Sequence, residues 1–354
     1  MPMLSDRGPR SPERHRGALG SSGPALKRRV APVQVEATVH PVVVLAAAAV
    51  GAGLVTWFAS GRSKRLDLAT SKGRRYAPRG HAVTASAAQR LNHASTMLAA
   101  SVLFDSGLEH YRGQFFNRAM YTPIIVSSVT LAASLHGAGD TDPGRSRVRH
   151  GVQALAGLTG LIGFGFHAYN VGKREGGYSF QNLFYSAPIG APMALTLAGI
   201  LGVVAERVRD ADPGAPRLAG LPAGPALALA TAGMLVGTTL EAGLLHFRGA
   251  FQNPAMYIPV SLPPLAAALL VRAAAKPVGT SQATAKWGMW AVSAMGVGGV
   301  AFHAYGVARM MGGWANWRQN LIDGPPLPAP PSFSGVALGG LAALELIERG
   351  RFRF

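Results

Sequence analysis

The chain contains no cysteine and few charged residues. None of its 354 residues is cysteine, and only 14% are Asp, Glu, Lys or Arg. The absence of cysteine excludes disulfide bonds, iron–sulfur clusters and thioether-attached haem, because each requires a thiol. Any metal would therefore be ligated by His, Asp, Glu, Met or Tyr. Soluble domains carry about a quarter charged residues, so the low charge indicates that much of the chain lies in an apolar environment.

Apolar residues make up 49% of the chain and are concentrated in long segments nearly free of charge. Several segments reach the roughly 20 residues needed to cross a bilayer core, and the others reach it when their polar ends are included. The abundance of Gly and Ala favours close helix packing in lipid. We therefore predict an all-α integral membrane protein with about nine spans. The segments are 39–60, 94–108, 119–135, 151–166, 187–205, 223–245, 255–271, 287–302 and 333–347.

The net charge of +18 does not indicate nucleic-acid binding. Lys and Arg are concentrated in the tails and in alternate loops, where positive charge sets the orientation of membrane helices. We expect the basic loops in the cytoplasm and the protein in the cell inner membrane. These loops are 62–79, 145–149, 207–217 and 272–286. The N-terminal tail is also basic, although nine spans would place it outside. Either segment 39–60 does not span, or the tail overrides local charge, or its first part is a dispensable extension.

Two stretches of sequence occur twice at one constant offset. Segment 105–123 reads DSGLEHYRGQFFNRAMYTP, and 241–259 reads EAGLLHFRGAFQNPAMYIP. Segment 163–177 reads GFGFHAYNVGKREGG, and 299–313 reads GVAFHAYGVARMMGG. Both pairs are 136 residues apart (241 − 105 and 299 − 163). A third block, which begins at Gln181 and at Gln319, matches after a two-residue insertion.

The duplication divides the chain into four parts. A Pro-, Gly-, Ser- and Arg-rich tail (1–37) is expected to be disordered, and an extra N-terminal span (38–60) follows. Two four-helix units then occupy 86–207 and 222–349, hereafter the first and second units. Because four spans separate equivalent helices, both units enter the membrane from the same side. We therefore predict two tandem parallel four-helix repeats, related by a pseudo-two-fold axis along the membrane normal.

Four histidines match between the units and are the predicted metal ligands. His110 matches His246, and His167 matches His303. A duplicated chain drifts wherever nothing constrains it, and packing alone rarely demands imidazole. The alternative is a capped or solvated residue at each helix end. The unmatched histidines His93, His136 and His150 align with Leu229, Arg272 and Lys286.

The residues around these histidines indicate haem. A repeated glycine lies three or four residues before each histidine, which places it on the same helix face one turn deeper, where a flat macrocycle would need space. Close helix packing is the alternative. A repeated arginine two residues after the first histidine could bind a haem propionate or a lipid phosphate. The predicted cofactor-binding residues are Arg112, Arg248, Asn117, Asn253, Gly107, Gly243, Gly163 and Gly299.

Asp105 and Glu241 are the matched acids and the predicted catalytic residues. Each lies five residues before its histidine, a rotation of about 140° on a helix. An acid and a histidine of one helix are therefore poorly placed to ligate one metal. Because a carboxylate inside a membrane is costly, we expect a functional role, such as a proton relay or ligation across the units.

These residues support one leading hypothesis and several alternatives. The leading one is bis-His haem b, held by His110 with His167 and by His246 with His303. It would transfer electrons to or from quinone or a membrane dehydrogenase. The first alternative is a dinuclear iron, zinc or manganese enzyme with two histidines and one carboxylate per metal. The others are a transporter with a polar site between repeats and a non-catalytic membrane subunit. The expected partners are the lipid bilayer, quinone and a redox partner protein, and not nucleic acid.

Overall fold

The computed structural model describes residues 79–212 and 216–350, which are mostly helical. The predicted tail and first span lie outside the described residues. The α-helices are α1 (Arg79–Arg112), α2 (Thr122–Ala138), α3 (Arg147–Gly172), α4 (Phe180–Tyr185), α5 (Met193–Asp210), α6 (Ala223–Arg248), α7 (Ile258–Ala275), α8 (Gly279–Ala308), α9 (Trp317–Asp323) and α10 (Pro331–Gly350). Short 3-10 helices cover Arg118–Tyr121, Pro254–Tyr257 and Gly313–Asn316. Two antiparallel two-residue strands, β1 (Arg217–Leu218) and β2 (Leu221–Pro222), join α5 to α6.

The order of helices and their packing recur along the chain. Helix α1 packs against α2 and α5, and α3 packs against the same two helices. Helix α6 packs against α7 and α10, and α8 packs against the same two. Helices α1 and α10 form the main contact between the two groups, while α5 and α6 touch only slightly. A parallel two-fold relation between the units stays a prediction.

Five helical stretches are long and apolar enough to cross a membrane, judged by length and composition. They are Arg118–Ala138, Arg147–Gly172, Ala223–Arg248, Pro254–Ala275 and Gly279–Ala308. The remaining long helices, α1, α5 and α10, supply much of the buried core instead. Helices α3 and α8 expose large apolar side chains, including Phe166 and Phe302 at 56% each. These features fit an all-α multi-pass membrane protein, because lipid would cover such faces. The count of nine spans stays a prediction.

A buried ion network fixes one end of the first unit. Arg149 and Glu206 are 2% and 0% exposed, and the guanidinium Nε donates to Glu206 Oε1 at 2.7 Å. Arg149 Nη2 also pairs with Asp140 Oδ2 at 2.8 Å. Burial raises the pKa of the Asp140 carboxyl, but the Asp142 N–H and the Arg149 and Arg209 guanidiniums outweigh it, so this pKa lies below its ordinary value. The network is absent at equivalent positions of the second unit, where Ala285 replaces Arg149.

The orientation of the helices can be tested by labelling, because the chain has no native cysteine. Thr141 lies in the basic loop between α2 and α3, and Glu175 lies in the loop between α3 and α4; both are exposed. We expect an impermeant maleimide added to intact cells to label Glu175→Cys and to spare Thr141→Cys, since basic loops are retained in the cytoplasm. Permeabilising the cells should expose Thr141→Cys as a control. Labelling of Thr141→Cys in intact cells would reverse the orientation.

Candidate functional site

All four repeated histidines hydrogen-bond through Nδ1 to a backbone carbonyl. The distances are 2.6 Å for His110 to Met120, 3.0 Å for His246 to Met256, 2.6 Å for His167 to Pro188 and 2.7 Å for His303 to Pro326. A carbonyl oxygen only accepts, so Nδ1 carries the proton and Nε2 of the neutral ring keeps its lone pair. Within residues 79–212 and 216–350, no group hydrogen-bonds to these Nε2 atoms. Each ring is thus oriented by the protein with one free ligand atom.

A strained chain reversal after α1 and after α6 carries the accepting methionine carbonyl back to the histidine. Phe115 and Phe251 both have a φ of 46°, a left-handed conformation that bulky side chains rarely adopt. Phe115 stacks on Tyr121 with ring centroids 4.4 Å apart, and Phe251 stacks on Tyr257 at 4.6 Å. The aromatic pairs therefore hold the same unusual backbone in both copies.

Asn117 and Asn253 cap the 3-10 helices within these reversals. The Asn117 side chain accepts a hydrogen bond from the Ala119 N–H at 2.9 Å, and Asn253 accepts one from the Ala255 N–H at 2.9 Å. Satisfying an otherwise unpaired N–H at a helix start is the usual role of such a residue. The structure thus gives both asparagines a role in shaping the turn that reaches the histidine.

The two histidines of each unit lie close enough to interact electrostatically. His110 interacts with His167, and His246 interacts with His303. Helices α1 and α3 carry one pair, and α6 and α8 carry the other. Among the residues that the structure describes, no three His, Asp or Glu side chains converge to hold a metal ion. The structure thus brings His110 near His167 and His246 near His303, while ligation of a metal by either pair stays a prediction.

The repeated glycines divide into two kinds. A Cβ built on Gly163 would lie 3.0 Å from Pro192 Cβ, and one on Gly299 would lie 2.7 Å from Pro330 Cβ. Close packing of α3 and α8 against these prolines therefore accounts for both glycines. Gly107 has open space within 4 Å of its Cβ position. Gly243 makes only an ordinary contact, 3.6 Å, with a Val260 methyl group. Only the glycines of α1 and α6 thus leave room beside a histidine-bearing face.

Each repeated arginine reaches into the other unit. Arg248 Nη2, on α6, donates to the Leu183 carbonyl at 2.8 Å and to the Ser186 carbonyl at 3.1 Å, at α4 of the first unit. Arg112, on α1, donates to the Ile322 carbonyl on α9 of the second unit. The contacts are reciprocal, so the arginines tie the two units together at the ends of α1 and α6.

Asp105 and Glu241 line a cavity of 2410 Å³ that has walls from both units. The two acids interact electrostatically across it, and the Gly190 backbone N–H donates to the Glu241 carboxylate. His246 and His303 also line the cavity. Its volume exceeds the roughly 300–1,000 Å³ of an ordinary ligand pocket. The site therefore joins the acids of both units to the histidine pair of the second.

Two residues of this cavity, Ser186 and Gly190, could not be recognised from the sequence. Both lie in the third repeated block, but Gly324 stands at the position equivalent to Ser186 and Pro328 at the position equivalent to Gly190. Comparison of the two units therefore could not single them out. No protein-family model matches the chain, and no curated protein or solved structure matches it.

Proposed function

We propose that the protein is a membrane electron carrier that binds b-type haem between paired histidines, one haem in each unit. The observation that carries the proposal is the state of the four imidazoles. Each Nδ1 is bonded to a backbone carbonyl and each Nε2 is free, and this is how metal-ligating histidines are commonly held. Haem, when bound, would supply one-electron chemistry at its iron. The paired histidines would hold the haem iron and fix its position in the membrane.

The residues present fit such a group in two further respects. Two histidines would suffice to hold a haem, so the lack of larger donor clusters in residues 79–212 and 216–350 does not oppose it. The cavity between the units also offers space beside His246 and His303, the histidine pair of the second unit. In the first unit, the open space at Gly107 lies one turn from His110. Electrons would pass to or from quinone or a membrane dehydrogenase of the inner membrane.

We also propose that the two units are parallel repeats about an axis normal to the membrane. Equivalent hydrogen bonds support this relation: Thr196 Oγ1 donates to the Gly157 carbonyl at 3.2 Å, and Ser334 Oγ donates to the Ser293 carbonyl at 2.7 Å. The reciprocal Arg112 and Arg248 contacts support it as well. Such an axis would place both haems at one depth, near the outer face.

A transporter is the second candidate, and the cavity between the units is the observation that favours it. Two carboxylates from equivalent positions face one space, as expected of a substrate or coupling-ion site between repeats. A transporter of this kind would need no cofactor at the histidines. Haem content therefore separates the two candidates.

An absorption spectrum of the purified chain tests the haem proposal directly. We expect a Soret band when the protein is produced in cells supplied with a haem precursor, and two haems per chain by the pyridine haemochromogen assay, because each unit has one histidine pair. A folded, monodisperse preparation that shows no Soret band after such growth, and after incubation with haemin, would contradict the proposal and favour the transporter.

A further inference from the structure

Three residues that line the cavity each have a buried polar atom without a hydrogen-bond partner. The atoms are Glu241 Oε1, Arg248 Nε and Ser186 Oγ, and among the described residues none of them is paired. All three residues line the cavity, and Ser186 is only 6% exposed. Buried polar atoms are nearly always hydrogen-bonded in native proteins, because leaving them unpaired is costly. The three atoms therefore indicate a polar ligand group at this position.

The surrounding contacts fix two of these atoms in place. Glu241 and Arg248 are seven residues apart on α6, almost two full turns, so they lie on one face of the helix. The carbonyls of Leu183 and Ser186 hold the Arg248 guanidinium through Nη2, which leaves Nε as a donor. The Gly190 N–H holds the Glu241 carboxylate. A Cβ on Gly190 would lie 3.0 Å from Glu241 Cδ, so this close approach requires glycine.

The rest of the cavity wall is predominantly apolar. Side chains from both units contribute, among them Leu98, Leu197, Ile200, Met234 and Met295. The unpaired atoms of Glu241 and Arg248 lie toward the end of α6, and the other charged lining residues are Asp105, Glu109, Arg112, Arg309 and Asp323. A ligand that fills this shape has a compact polar head and a long apolar tail. The negative carboxylates of Asp105 and Glu241 would repel a phosphate head group, and the positive guanidinium of Arg248 would repel a cationic head group.

We propose that the cavity binds a lipophilic quinol. One quinol hydroxyl donates to Glu241 Oε1, the oxygen of a ring substituent or of the second hydroxyl accepts from Arg248 Nε, and the tail follows the apolar wall. Ser186 Oγ completes the head-group site. The choice of a quinol rests on the proposed redox function, because a haem carrier in this membrane needs a lipid-soluble electron partner. This position lies beside His246 and His303, the histidine pair of the second unit.

Binding of decylubiquinol to the full chain in lipid nanodiscs tests this site. We expect saturable binding of one molecule per chain above the partition into empty nanodiscs. Replacing Glu241 with Leu should weaken binding by about tenfold or more, because a hydrogen bond to a charged acceptor is lost. Gly190→Ala should also weaken it, since the new Cβ displaces Glu241 without changing its chemistry. Glu348→Gln, at an exposed acid on α10, is the matched control and should bind as the wild type does.

Several outcomes would overturn the site. The first is quinol binding that does not saturate and equals the partition into empty nanodiscs. The second is quinol binding by Glu241→Leu with the same affinity as the wild type. The third is displacement of the quinol by decyltrimethylammonium, if that cation binds more tightly than the quinol does. The assay does not depend on haem. Saturable quinol binding by a chain without a Soret band would reject the haem proposal and support this site. A Soret band without quinol binding would support the haem proposal and reject this site.

Discussion

Replacing His167 with alanine should reduce the haem bound per chain from two to one. His167 would be one of the two histidines that hold the haem of the first unit, while His246 and His303 would hold that of the second. Loss of one histidine should abolish or greatly weaken haem binding in its own unit and leave the other unit unaffected. The pyridine haemochromogen assay, divided by protein concentration, measures the ratio. His303→Ala should give the same ratio from the other unit, and the double variant should bind none.

Two controls separate ligation from a structural role of the imidazole. His93, an exposed and unmatched histidine on α1, should tolerate alanine with both haems retained. In His167→Gly, added imidazole should restore the second haem, because the free ligand can occupy the vacated position. Retention of both haems in His167→Ala and in His303→Ala would show that the Nδ1 bonds to Pro188 and Pro326 are the whole purpose of these residues. Loss of the entire cofactor from either single variant would instead favour one shared centre.

The duplication made the local surroundings of the histidines predictable, because local contacts repeat when sequence repeats. Phe115 and Tyr121 recur as Phe251 and Tyr257, and each pair stacks in the structure. The equivalent Nδ1 hydrogen bonds of His110 and His246 follow from the same recurrence.

Hydropathy was less informative about where the helices begin and end. Helix α1 begins at Arg79, well before the predicted segment 94–108, because polar residues near its start do not break a helix.

Contacts between distant segments could not be predicted from the sequence. Arg112 and Arg248 were expected to face a propionate or lipid phosphate, and the structure pairs them with carbonyls of the opposite unit. Gly163 was expected to leave space, and Pro192 on the facing segment fills it. In both cases the deciding partner lies far along the chain, where spacing and periodicity carry no information. The cavity is lined by residues of both α5 and α6, which touch only slightly, and no single segment specifies this arrangement.

Replacing Arg149 with leucine should lower the free energy of unfolding by about 3–5 kcal/mol, the cost of breaking a buried ion pair. Glu206 is completely buried, and Arg149 provides it with two hydrogen bonds, at 2.7 and 3.1 Å. Without the guanidinium, the carboxylate would remain inside the first unit with the Ser146 N–H, at 2.8 Å, as its hydrogen-bond donor and Arg209 as a nearby positive charge. Unfolding by SDS in mixed detergent micelles, followed by circular dichroism, measures the change. The effect should be on stability alone, because this network lies away from the histidine pairs.

The pair Arg90 and Glu345 provides the matched control for this prediction. Its atoms are 3.6 Å apart and its side chains are 33% and 16% exposed, so water already solvates part of the pair. Arg90→Leu should therefore change the free energy of unfolding by about 1 kcal/mol or less. The double variant Arg149→Leu with Glu206→Leu should recover most of the lost stability, because the penalty comes from the unpaired buried charge and not from the absence of an attraction. Equal losses for Arg149→Leu and Arg90→Leu would mean that water reaches Glu206 and that the network does not stabilise this end of the bundle.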